Sequence, residues 1–204
     1  ANIDYLTEYF TDKDINATLP ADTTALLHAV QHGSKKTIAW LLDNGANINQ
    51  ETRLKTPLAL AIIHRDLDIA KYLIKRGAAL NQYSVAAEQS AIGINQAVLA
   101  AAIFGKAPVD SLNWIIKKGA TLHSQHKNIN LLCVSALASH SDFVLQLVQQ
   151  GQDITRSCNS PSFAGAPALF FAANNGLLDV LQDYFKKQGD ANFQFQQRSL
   201  LSMS

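Results

Sequence analysis

Six histidines, two cysteines and the doubled cations Lys75-Arg76, Lys117-Lys118 and Lys186-Lys187 are residues of this chain whose types could do chemistry. His28, His32, His64, His123, His126 and His140 are scattered along it, and His123 with His126 has the closest spacing. Three residues apart on a helix, two imidazoles could share one metal ion, but these fall in a loop with no cysteine or carboxylate beside them. A cysteine nucleophile would need a base oriented by a third group. Cys133 instead lies within the apolar run Leu131-Leu132-Cys133-Val134-Ser135-Ala136 and reads as a packed thiol. Cys158 lies in a Ser/Pro/Gly-rich stretch and reads as an exposed thiol that does not pair with it. No phosphate loop, H-E-x-x-H or G-x-S-x-G occurs. The expectation is no catalytic residue, no metal and no cofactor, hence no enzyme activity within these residues.

The doubled cations Lys75-Arg76, Lys117-Lys118 and Lys186-Lys187 each end an amphipathic run, where positive charge complements a helix dipole. An edge offered to an acidic partner or a lipid head group is the alternative. Formal net charge is +1, so no strong field steers the chain toward nucleic acid or an anionic membrane. The longest apolar run, Ala97 to Phe104, is too short to span a bilayer, and no signal-peptide pattern opens the chain. Two cysteines are too few for a disulfide framework, which makes a reducing cytoplasm, with both thiols free, the default expectation.

The elements that carry these residues repeat. Thr56 to Asn81, TPLALAIIHRDLDIAKYLIKRGAALN, reads as a short helix opened by Thr-Pro-Leu, a tight turn at His64-Arg65-Asp66 and a second helix from Leu67 to Lys75. Apolar Leu67, Ile69, Ala70, Leu73 and Ile74 share one face of that second helix, and Gly77 stops it in the left-handed position that favours a residue without Cβ. The order resembles the ankyrin-repeat pattern T-P-L-(H)-x-A, a second helix, then L-L-x-x-G-A-x-x-N, with Ala59 where the pattern has His and Arg65 where it has Gly after the first helix. Four further segments match: Thr24 to Asn49, the third with Val98 to Gly105 and Leu112 to Ala120, Asn130 to Ile154, and Pro167 to Asn192. Gly45, Gly77, Gly119 and Gly151 close the first four, and the 42-residue gap before Gly119 marks insertions in Tyr83–Asn95 and Lys106–Asp110.

The resemblance implies an all-α ankyrin-repeat solenoid of about five full repeats, 24–52, 56–83, 96–123, 130–155 and 167–192. Residues 1–20 read as a degenerate half repeat, and 193–204, with Ser199-Leu200-Leu201-Ser202, as the start of a sixth repeat. The whole is expected to form one array. The missing initiator Met and the ragged ends suggest a piece of a larger gene product. Ala29, Ala61, Ala101, Ser135 and Ala172 are placed in one small-residue column of the first helices. Trp40, Tyr72 and Trp114 form an aromatic column in the second helices that reads as a core seam rather than a recognition strip.

Ankyrin repeats bind partner proteins through a concave groove and through the fingers between repeats, and that is the function the resemblance implies. The two residues before each turn would line the groove: Gln31 and His32, Ile63 and His64, Ile103 and Phe104, Leu137 and Ala138, Asn174 and Asn175. Arg53, Lys55, His126 and Lys127 are the finger candidates. Ile63, Ile103, Phe104 and Leu137 would form an apolar centre with a polar rim, the anatomy of a protein interface, unless the Tyr83–Asn95 insertion folds over it. The expected state is a cytoplasmic monomer that binds a protein, neither nucleic acid nor membrane. The alternative is the targeting or substrate-recruiting region of a larger enzyme, or of an effector delivered into a host cytosol by an intracellular bacterium, since irregular ankyrin arrays with long loops look like those of such effectors.

Overall fold

The computed structural model describes residues 3–20, 22–50, 52, 56–81, 98–122, 130–158, 165–187, 189–190, 194–195 and 198–199. Among them are eleven helices: α1 (Ile3–Tyr9), α2 (Ala25–Gln31), α3 (Lys35–Asp43), α4 (Pro57–Ile63), α5 (Leu67–Lys75), α6 (Val98–Phe104), α7 (Val109–Lys117), α8 (Leu131–Leu137), α9 (Ser141–Gln149), α10 (Ala168–Asn174) and α11 (Leu178–Lys186). A two-residue hairpin, β1 (Gln194–Phe195) with β2 (Arg198–Ser199), follows. Two compact units result, one holding α1 to α7 and the other α8 to α11 with the hairpin.

Capping chemistry explains why the first helices begin where they do. Thr24 and Thr56 each accept the N–H three residues on, Leu27 and Ala59 at 3.2 Å, and Asn130 accepts that of Cys133 at 2.8 Å. Each cap satisfies one of the N–H groups a helix start leaves unpaired. Pro57 occupies the first turn of α4, where its missing N–H costs nothing. The second helices end on glycines in the left-handed region: Gly45, Gly77, Gly119 and Gly151 at φ of 90, 97, 97 and 91°. Around Gly77 the chain reverses, and the Ala78 N–H donates back to the Leu73 carbonyl at 2.9 Å.

Within the first unit α4 packs against both α2 and α6, and each first helix packs on its own second helix. The buried side of a second helix is a narrow stripe, as in Thr37, Ile38 and Leu41 of α3 and Ile69, Ala70 and Leu73 of α5. Each buried Leu or Ile contributes about 1.5–3 kcal/mol. In the second unit α8 packs on α9 and α10, and α11 on α9 and α10. Phe143, Val144 and Leu147 of α9 and Val180 and Leu181 of α11 supply the matching stripes.

Asparagines in the connections join neighbouring repeats of the first unit. Asn16 donates to the Gly45 carbonyl at 3.1 Å and accepts the Asn47 N–H at 2.7 Å; Asn49 accepts the Ala79 N–H at 2.8 Å; Asn81 bonds Gly119 and Thr121 in the same way. A short amide side chain offers a donor and an acceptor at once, so it can satisfy backbone groups that no helix or sheet pairs.

Three sequence expectations are corrected. The sequence pattern aligns the third repeat with Gly105 as the turn residue, but the left-handed turn position, held by Gly33, Arg65, Ser139 and Gly176 elsewhere, is taken there by Lys106 at φ 56°. The small-residue column therefore contains Ala102, fully buried, and not Ala101, which is half exposed. Cys133 and Cys158 are joined in a disulfide with their Cα atoms 5.8 Å apart. Cys158 is buried because its N–H donates to the Ala166 carbonyl and Ser157 pairs with Pro167, which turns the polar loop back on itself. Ser199, expected to open a sixth repeat, pairs with Gln194 in the hairpin, and residues 200–204, which would continue that repeat, lie outside those described. Trp40, Tyr72 and Trp114 are half-buried rather than core, since the residues two positions before and one after each of them take the interior.

Candidate functional site

The C-terminal ends of the first helices hold most of the residues predicted to meet a partner. In the first unit Gln31 and His32 are exposed, Ile63 is half-buried and His64 is exposed. The register correction decides the next repeat. Ile103 is buried completely, whereas Phe104 at the end of α6 is 42% exposed. Phe104 and Gly105, not Ile103 and Phe104, stand in the columns of Ile63 and His64. A Cβ on Gly105 would lie 2.5 Å from the Ile63 Cδ1, so the absent side chain lets the two helix ends approach. Ile63 and Phe104 therefore hold the same position in neighbouring repeats and supply the apolar shelf, with Gln31, His32 and His64 as polar positions at the same helix ends.

In the second unit Leu137 is half-buried, Ala138 buried and Asn174 exposed. Asn175 points its amide into its own unit, donating to the Ala136 and Leu137 carbonyls at 3.0 and 3.2 Å. Those bonds hold α10 to α8, so Asn175 serves packing before it serves a ligand. The finger candidates Arg53, Lys55, His126 and Lys127, together with His123 and the Tyr83–Asn95 insertion, lie outside the described residues.

The sequence pattern does not single out one juxtaposition that the fold creates. His28 on α2 and His32, which caps its C-terminal end, are one turn apart with ring centroids 4.3 Å from each other. Both stand at an open cleft of about 630 Å³ whose other walls include Leu6, Tyr9, Phe10 and Leu19. The available signal is the spacing of four, which places two side chains on one helix face. No group of three or more metal-binding side chains occurs among the described residues. His140 is buried at the start of α9, 5.9 Å from the Phe143 ring.

Two of the doubled-cation residues, Arg76 and Lys187, are engaged by acids of their own unit. Arg76 donates to the Asp43 carboxylate of the preceding repeat and to the Tyr72 hydroxyl, both at 2.6 Å. The Asp43 bond, then the Tyr72 bond, favour the charged guanidinium and push its pKa up. Lys187 pairs with Asp183 one turn back at 2.8 Å. Among the described residues no helix is long and apolar enough to cross a membrane.

Comparison with known proteins agrees with this architecture. Residues 2–84 match the family model for ankyrin repeats, three copies. No curated protein matches the chain in sequence. Among solved structures the ankyrin repeat domain of human ASB11 is similar, with a TM-score of 0.63 at 16% identity over 99% of this chain and 86% of that one. At that identity the likeness concerns the fold. Repeats of this kind are in general protein-interaction scaffolds. By its helix pairs, its glycine-closed turns and the likeness to that domain, the chain has an all-α ankyrin-repeat fold, and its residues 2–84 match the ankyrin-repeat family model.

Proposed function

We propose that the chain is a protein-interaction module that binds its partner across the first-helix ends of the first unit and makes no chemical change itself. The observation that carries this reading is Phe104. A large aromatic ring at a helix end, 42% exposed in the column of half-buried Ile63, gives up water at little cost in side-chain entropy when a partner covers it. Gln31, His32 and His64 supply hydrogen-bonding groups at its rim, as interfaces with an apolar centre require. The finger residues Arg53, Lys55, His126 and Lys127 are proposed as secondary contacts, and Leu137 and Asn174 as the corresponding positions of the second unit. Ile103, Ala138 and Asn175 have no part in it. The compartment follows the two sulfurs: a cytoplasmic chain would keep them as thiols, and the joined pair fits an oxidising setting.

Phe104→Asp tests the reading. A carboxylate in the shelf must be desolvated by any partner that covers it, so capture of the partner retrieved by the wild-type chain should weaken by about tenfold or more. The melting temperature should stay near wild type because the ring supports little in the free protein. Ile103→Asp is the control and should lower the melt sharply, since it places a charge in the core. Intact capture by Phe104→Asp would move the binding surface away from the shelf.

A further inference from the structure

Cys133 and Cys158 are the only cysteines of the chain, and they are bonded to each other across 25 residues. Cys133 sits in the first turn of α8, its N–H held by the Asn130 cap. Cys158 belongs to the connection between α9 and α10. The base of that connection is closed by backbone bonds: the Cys158 N–H to the Ala166 carbonyl at 3.0 Å, the Ser157–Pro167 bridge, and the Leu169 N–H to the Ile154 carbonyl at 2.9 Å. The disulfide ties this closed base to α8. Both cysteines are buried, Cys158 completely. A thiolate must reach a sulfur to displace its partner, so no reductant can attack while the base is closed.

We propose that Cys133–Cys158 is a redox latch on the α9–α10 connection. Oxidised, it clamps residues 155–158 and 165–169 onto α8. Reduced, it leaves the helices paired and lets that base open. The helices do not depend on the sulfurs, because α8 packs on α9 and α10 through Leu132, Val134 and Ala136, and α9 packs on α11 with its own apolar stripe. The backbone bonds just named close the base on itself, and the disulfide is the covalent tie that holds it to α8.

The exchange is balanced with a dithiol as reductant. One thiolate attacks a sulfur of the pair, the other cysteine leaves as a thiolate and takes a proton, and the second thiol of the reductant then frees the first cysteine. Two electrons and two protons pass to the protein, and the reductant becomes a disulfide. Oxidised glutathione reverses the process and leaves as two thiols.

The test uses the full chain refolded with oxidised glutathione, a portion of it treated with dithiothreitol, and the double variant C133A/C158A. Thiol titration without denaturant should find no thiol in the first sample. Dithiothreitol should reduce the pair slowly, and faster in urea below the unfolding range, because opening must precede attack. In the reduced chain and the variant, hydrogen exchange at the backbone amides of position 158 and of Leu169 should accelerate at least about tenfold, while the amides of α2 to α5 keep their rates. Two thiols titrating in the untreated sample would overturn the latch. So would unchanged exchange after reduction. Loss of the helical signal from α8 to α11 on reduction would also overturn it, making the bond a requirement of the fold.

Discussion

Asp153 follows α9 with a carboxylate whose Oδ1 accepts both the Thr155 hydroxyl, at 2.6 Å, and the Thr155 N–H, at 2.9 Å. The hydroxyl first, then the N–H, hold the Asp153 pKa below its ordinary value, with the Arg156 charge adding to them. A depressed carboxylate pKa contributes stability above the unfolded value, about 3.9, and loses it as the pH falls through the folded value. Thr155→Ala should therefore raise the Asp153 pKa and shrink that contribution at neutral pH, without removing it, since the backbone donor stays. A carboxyl titration followed by NMR checks it, and an unchanged midpoint would exclude the hydroxyl as the main cause. At this same scale Phe104 and Ile103 mark where reading a sequence stops. Both are large and apolar and adjacent, and only the turn at Lys106 tells which of them faces out.

The second helices and their glycine stops were legible because two independent signals coincide, a 3.6-residue apolar stripe and a residue free of steric cost at positive φ. The helix α5 has the bounds read from its sequence, Leu67 to Lys75. Gly77 shows that the requirement is conformational rather than spatial: a Cβ there would meet no atom within 4 Å, yet φ is +97°. Gly77→Val should accordingly cost more than about 1 kcal/mol in denaturant unfolding. A midpoint equal to wild type would mean that the turn can be made another way. The first helix of the third repeat is misaligned by its pattern for the converse reason. Lys106 holds the left-handed position that glycine holds after α2 and α10, and Gly105 is needed one residue earlier, for its closeness to Ile63. Glycine serves two physical purposes, and a pattern cannot tell them apart.

For the molecule as a whole, the far-UV circular dichroism should be mostly helical, since strand among the described residues is confined to two pairs at 194–195 and 198–199. A sheet-rich spectrum would contradict the fold. Helix pairs and their stops were determined by the sequence alone, because each rests on interactions within about ten residues: caps, periodic apolar faces, left-handed glycines. The resemblance then carried those local signals to an architecture. Three things were decided only by the tertiary structure: the union of Cys133 with Cys158, the exposure of Phe104 against the burial of Ile103, and the meeting of His28 with the cleft beside α1. All three depend on which distant segment lies against a side chain. A disulfide between a helix and a polar loop follows from the loop's closing bonds at Ala166 and Pro167, and no spacing of residues along the chain encodes where those bonds bring Cys158.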